Sequence, residues 1–147
     1  MAGVPSEQVE AGARAWARGF TGVEAGVDLL FTDGYWPARA DFVESCLYRP
    51  TWTWVGDQDL VVVEFDDAID ALDAGLLRSG VADACLLRVA AWVAGVDAGP
   101  WHLLTEQLDA VRAVLVAHAM TRAFHLPARL DPRSVSGTHE SDTPGPA

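Results

Sequence analysis

The most apolar stretch of the chain covers residues 79–95 and reads SGVADACLLRVAAWVAG, with Asp83 and Arg88 as the non-apolar residues of its central part. A helix that is apolar on nearly every side is a buried helix. This one is shorter than the roughly 20 apolar residues that a membrane span needs. Ser79 is suited to cap its first turn, and Gly95 can take the left-handed conformation after its last. The pattern predicts a central helix around which the domain is built.

Apolar residues recur at helical spacing in other segments as well. Val23, Val27, Leu30 and Phe31 share one face of a helix that ends at residues 33–34. Pro37 can open a second helix, Asp66 and Asp67 a short third one that stops at Gly75, and Asp109 a last one. We expect these three helices at residues 38–48, 68–74 and 110–124.

A different periodicity lies between the helices expected at residues 38–48 and 68–74, the second and third along the chain. Residues 51–55 alternate between polar and apolar side chains, and residues 60–63 form a β-branched run. The turn-forming sequence Gly-Asp-Gln-Asp separates them. This pattern predicts a β-hairpin. Because two strands alone are marginally stable in water, the hairpin should lie on the helices or add to the edge of another chain.

The two ends of the chain differ in composition from its middle. Residues 1–20 are rich in Ala, Gly, Glu and Arg, and we expect a weakly docked or frayed arm there. Residues 127–147 are rich in Pro, Ser and Gly and hold too few large apolar side chains to offset the entropy of ordering, so they predict a disordered tail. The expected fold is mainly α, a compact bundle of four or five helices with one small β-hairpin, formed by residues 21–126.

Charge narrows the classes of function. The 147 residues include 21 acidic and 10 basic ones, for a formal net charge of −11, and every basic residue is Arg. This balance argues against direct binding of a nucleic-acid backbone, which attracts a basic surface. The N-terminal segment lacks the basic start and continuous apolar run of a signal peptide, because charged residues interrupt it. We therefore expect a cytoplasmic protein that does not associate with membranes.

The two cysteines, Cys46 and Cys85, lie among apolar residues and form no CxxC motif. Two buried free thiols are the interpretation that fits a cytoplasmic protein, and a disulfide would require export.

The most distinctive surface feature is a stretch without any basic residue, residues 51–77. Helical spacing brings its Asp66, Asp70 and Asp73 to one face, and Trp52 and Trp54 would share one face of a strand. The stretch is either a binding surface for a basic protein or a solvated helix face with the tryptophans packed inward. The candidate partner-binding residues are Trp52, Trp54, Asp57, Asp59, Glu64, Asp66, Asp70 and Asp73.

Candidate catalytic chemistry is sparse. The sequence has no G-x-S-x-G, G-x-G-x-x-G or Walker A motif and no metal-ligand spacing, so we expect neither a cofactor nor a metal. His118 and Arg122 share a helix face, and a dyad of His118 with Asp41 or Asp83 is the remaining catalytic alternative. Arg88 should pair with a carboxylate on a neighbouring element, such as Asp109 or Asp41, since an unpaired buried charge is costly.

The order of several residues resembles that of small, acidic, uncharacterised proteins of actinobacteria. The resemblance rests on Trp36, Arg39, the pair Asp41–Phe42, the run Leu87-Arg88-Val89-Ala90 and the pair Leu108–Asp109. The absence of Lys and the abundance of Ala, Val, Gly, Asp and Arg are typical of a GC-rich genome, which agrees with such a source. The resemblance implies a compact, mainly helical bacterial domain and carries over no catalytic residue.

The sequence therefore favours a small acidic interaction or regulatory protein without catalytic activity, whose partner is another protein with a basic surface. One alternative is an acidic decoy of the mobile-element type that occupies a nucleic-acid-binding protein. A second alternative is a small enzyme that uses His118. A second copy of the chain, bound through the edge of the hairpin, is a further candidate partner.

Overall fold

The computed structural model describes residues 3–51 and 59–125 of the chain. These residues form a helical bundle with one small antiparallel hairpin, which confirms the predicted fold class. The helices are α1 (Ser6–Ala17), α2 (Thr21–Asp33), α3 (Ala40–Cys46), α4 (Phe65–Asp73), α5 (Val81–Val93) and α6 (Ala110–Ala123), with a 3-10 helix at Trp101–Gln107 before the last one. The strands are β1 (Leu47–Tyr48) and β2 (Val62–Val63).

Helix α5 is the central helix that the apolar run predicts. Its Leu86, Leu87 and Val89 are fully buried, and α2, α4, α6 and the 3-10 helix all contact it. Gly95 follows its last turn with a φ of 97°, in the left-handed region that suits glycine. The predicted cap at Ser79 is wrong, because the carboxylate of Asp83 accepts a hydrogen bond from the backbone N–H of Gly80 at 3.3 Å instead.

Helices α2 and α5 approach closely because glycine faces the contact. A Cβ atom on Gly22 would lie 2.4 Å from the carbonyl oxygen of Val93, and one on Gly26 would lie 2.5 Å from that of Ala90. No real side chain tolerates such distances, so the two glycines set the spacing between the helices.

Helix α1 belongs to the core, which differs from the expected weakly docked arm. Val9, Ala13 and Ala17 lie four residues apart along the helix and are all buried. Gly12 lies against the backbone of residues 59–61, where an added Cβ would meet the carbonyl oxygen of Asp59 at 2.4 Å. Small side chains therefore dock this helix through close approach rather than through a large apolar face.

The hairpin uses an earlier first strand than the pattern predicts. Leu47 pairs with Val63 and Tyr48 with Val62 in antiparallel register. The predicted helix over residues 38–48 ends at Cys46, so its last two residues are strand rather than helix. The predicted strand over residues 51–55 falls mostly on residues 52–58, outside the described part of the chain.

Helix termini follow the capping predictions in part. Asp109 caps α6 as predicted, its side chain accepting a hydrogen bond from the backbone N–H of Arg112 at 2.9 Å. Asp66 and Asp67 lie inside the first turn of α4, where acidic residues favour the helix dipole, and Glu64 takes the capping position. The predicted tail, residues 127–147, is outside the described part. None of the described helices combines the length and apolarity needed to cross a membrane.

Candidate functional site

The predicted partner-binding surface is only partly described by the structure. Trp52, Trp54 and Asp57 lie outside the described residues, so their contribution stays a prediction. The other predicted residues are described: Asp59, Glu64, Asp66, Asp70 and Asp73.

Helix α4 is strongly amphipathic. Phe65, Ala68 and Ile69 are buried against the core, whereas Asp66, Asp67 and Asp70 are exposed. Among residues 3–51 and 59–125, none of these three carboxylates forms a salt bridge. These three negative charges therefore face solvent, and no cation of the described residues neutralises them.

Asp73, at the end of α4, has a structural role instead. Its carboxylate binds the guanidinium of Arg88, which also donates to the carbonyl oxygen of Ala98 at 2.8 Å. The predicted partners of Arg88, Asp109 and Asp41, are wrong, because Asp109 caps α6 and Asp41 pairs with Arg39. Asp73 therefore holds α4 to α5.

Two further predicted residues lie near the hairpin. Asp59 faces the guanidinium of Arg49 across 3.8 Å, so its charge is partly balanced. Glu64 lies beside Tyr48, and its carboxylate, by hydrogen bonding, raises the pKa of the Tyr48 phenol. The charge of Asp67 makes a smaller contribution in the same direction. Glu64, Asp66, Asp67 and Asp70 are called the acidic face below.

Exposed apolar side chains flank the acidic face. Tyr48 on β1 is 44% exposed, and Leu76, shortly after α4, is 74% exposed. Tyrosine is among the residue types that most often contribute strongly to binding at protein interfaces, and an exposed leucine adds apolar area beside it. The sequence pattern did not indicate either residue, because Tyr48 falls at the end of the helix predicted over residues 38–48 and Leu76 falls just beyond the predicted helix that stops at Gly75.

The most buried charges form a separate cluster that joins α2, α5 and α6. Arg112 donates through Nε to Asp33 at 2.9 Å and through Nη2 to Asp83 at 2.6 Å. Hydrogen bonding to Asp33 raises the pKa of the Arg112 guanidinium further above its usual value. Trp36, fully buried, donates its indole N–H to the carbonyl oxygen of Asp83 at 2.9 Å. The cluster therefore fixes the positions of the three helices relative to one another.

The two carboxylates proposed to act with His118 are occupied elsewhere. Asp83 binds Arg112, and Asp41 binds Arg39, which lowers the pKa of the Asp41 carboxyl. The carboxylate that lines a pocket with His118 is Asp28 of α2. The spacing of His118 and Arg122 correctly indicated a shared face, since both line this pocket, but no local signal pointed to Asp28.

Both thiols are buried and unpaired, as predicted. Burial, with smaller contributions from the charges of Asp67 and Asp41, raises the pKa of the Cys46 thiol to about 11. Burial likewise raises the pKa of the Cys85 thiol. Because the thiolate is the reactive form, neither group is suited to nucleophilic catalysis at neutral pH.

This environment predicts slow thiol chemistry in the folded protein. At pH 8, an aromatic disulfide reagent should modify the native chain at least about 100-fold more slowly than the chain unfolded in guanidinium chloride, because access and thiolate formation are both restricted. The absorbance of the released thiolate measures both rates. Rapid modification of either cysteine in the native protein would contradict the burial that we describe.

Within the described ranges, no three His, Cys, Asp or Glu side chains are grouped as metal ligands would be. Comparisons with protein-family models, with curated proteins and with solved structures find no match for this chain.

Proposed function

We propose that this protein is a non-catalytic interaction protein that binds a basic surface of another protein through its acidic face. The observation that carries the proposal is the exposure of Asp66, Asp67 and Asp70 with no salt bridge to a described residue. A cluster of like charges opposes folding by self-repulsion and favours association with an oppositely charged surface.

The neighbouring apolar side chains support a protein as the partner. Charge complementarity speeds encounter, but buried aromatic or aliphatic anchors provide most of the affinity in protein interfaces. Tyr48 lies beside Glu64, and Leu76 follows α4 after a short turn, so both are available as anchors next to the charges. If Trp52 and Trp54 extend the same surface, they would add to this set.

Reversing charge on the acidic face tests the proposal. We expect the Asp66→Arg/Asp70→Arg double variant to recover its partner at least about tenfold less efficiently, because each reversal replaces attraction by repulsion. The measurement is affinity capture from an extract of cells that make the protein, with quantitative mass spectrometry and a salt series. Asp73 is left unchanged because it binds Arg88.

A matched control separates the acidic face from net charge. The Glu7→Arg/Glu106→Arg variant makes the same change in net charge at exposed positions on α1 and on the 3-10 helix. It should retain the partner. Equal losses in the two variants would show that only net charge matters, and unchanged capture by the first variant would remove the acidic face from the proposal.

The alternative function for the same surface is that of an acidic decoy. If the captured partner is a nucleic-acid-binding protein, DNA should compete with this chain for it, and the competition should weaken as salt increases. A partner whose capture is insensitive to excess DNA would favour the general interaction role.

A further inference from the structure

A pocket of about 310 Å³ lies where α1, α2 and α6 meet, and none of its polar residues belongs to the acidic face. One part of its wall is apolar, where Leu29 and Ala119 are nearly fully buried. A volume of this size is at the lower end of the range for small-molecule sites. The pocket, called the arginine pocket below, is lined by Arg14, Asp28, Leu29, Thr32, Leu115, His118, Ala119 and Arg122.

Two guanidinium groups converge in this pocket. Arg14 reaches it from α1 and Arg122 from α6, and both bind the single carboxylate of Asp28. Arg14 also meets Glu10, one turn earlier on its own helix, through its other nitrogen atoms. Glu10 is not among the lining residues, so the pocket itself holds two cations and one carboxylate. This is unusual in a chain whose formal net charge is −11.

The donors that remain are suited to an oxyanion. A guanidinium has five N–H groups, and within the described residues the one ionic partner of Arg122 is Asp28. Arg122 therefore has N–H groups free to donate to a ligand beside Asp28. Paired arginines recognise carboxylates and phosphates because their planar donors match two oxygen atoms at once.

Two further donors complete the lining. His118 lies one turn before Arg122 on the same face of α6, and Thr32 lies one turn after Asp28 on α2. An imidazole N–H and a hydroxyl can each donate to a further oxygen atom. Arginines, further donors and apolar side chains thus come from three different helices that are held in place by the core.

We propose that the arginine pocket binds a small organic anion through its phosphate or carboxylate group. Arg122 and Arg14 hold the oxyanion, Asp28 keeps both guanidinium groups in position, and the apolar part of the ligand rests on Leu29 and Leu115. The proposal is independent of the acidic face, so the Asp66→Arg/Asp70→Arg variant should bind the same anions normally.

Titration of the full-length protein tests the proposal with defined probes. Inorganic phosphate, glycerol phosphate and succinate are added separately at constant ionic strength, with sodium chloride as the reference, and binding is followed by ¹H–¹⁵N spectra that include the arginine Nε–H signals. We expect a saturable shift of the Arg122 Nε–H signal by at least one probe, because Arg14 donates its own Nε–H to Glu10 outside the pocket. The probe with the lowest dissociation constant shows whether the pocket prefers a phosphate or a carboxylate.

Variants of matched charge decide whether the pocket is responsible. Arg122→Gln should raise the dissociation constant at least about tenfold, whereas Arg49→Gln, which removes an exposed arginine beside Asp59, should leave it unchanged. Arg122→Lys keeps the charge but loses the planar donors, and it should bind with intermediate strength. It also serves as the test if Arg122→Gln fails to fold. Absence of saturable binding by all three probes, or equal weakening by the Arg49 variant, would overturn the proposal.

Discussion

Replacing Arg112 by methionine is expected to lower the free energy of unfolding by about 2–3 kcal/mol, because it leaves two partly buried carboxylates without the cation that they share. The side chains of Asp33 and Asp83 are only 7% and 15% exposed, and both bind this one guanidinium. Without Arg112 the two carboxylates would face each other with little solvent to screen them. Chemical denaturation at pH 7 measures the change.

A second substitution identifies the cause of that loss. If repulsion between the two carboxylates causes it, the Asp33→Asn/Arg112→Met double variant should regain part of the lost stability, because one of the two negative charges is gone. If lost packing of the arginine stem were the cause, Asp33→Asn would restore none of it.

An exposed arginine provides the control for the Arg112 variant. Arg49→Met removes the same charge from a surface position and should change the free energy of unfolding by less than about 0.5 kcal/mol. A loss below about 1 kcal/mol for Arg112→Met would contradict the structural role that we assign to the cluster.

The elements that the sequence predicts well are those decided by neighbours along the chain. The apolar run of α5, the spacing of Val23, Val27 and Leu30 in α2, and the cap at Asp109 all depend on interactions within about one or two helical turns. Periodicity and capping chemistry report such interactions directly.

The ion pairs could not be predicted because they join residues that are far apart in the sequence. Arg88 binds Asp73, and Arg112 binds Asp33, across 15 and 79 residues respectively. Any of several acidic residues satisfies the need for a partner, and only the packing of the helices selects one. The same limitation hid Asp28, which joins the pocket of His118 because α2 lies beside α6.

Small residues account for the misjudged N-terminal helix. Ala13 and Ala17 are almost completely buried, yet alanine adds little to a hydrophobic pattern. Glycine adds still less, although Gly12, Gly22 and Gly26 mark the places where backbones come closest. A pattern that scores side-chain hydrophobicity therefore understates contacts that depend on a missing side chain.

Gly26→Leu should consequently destabilise the protein by about 3 kcal/mol, at the upper end of the usual cost of overpacking. A Cβ at this position would meet the carbonyl oxygen of Ala90 at 2.5 Å, the ring of Phe65 at 3.2 Å and the Cβ of Ala94 at 3.3 Å. Leucine favours helices by nearly 1 kcal/mol over glycine, so propensity alone predicts the opposite sign. Thermal unfolding should show a melting temperature lower by roughly 6–12 °C.

The sign of the change is informative because a control measures the effect of a leucine side chain at a helix position where it has room. Ala117→Leu places the same side chain on the exposed face of α6, where it should shift stability by no more than about 0.5 kcal/mol. If Gly26→Leu were neutral or stabilising, α2 and α5 could not be in contact at the distance described. The central position of α5 in the core would then lose its main support, since α2 is the helix that covers it most extensively.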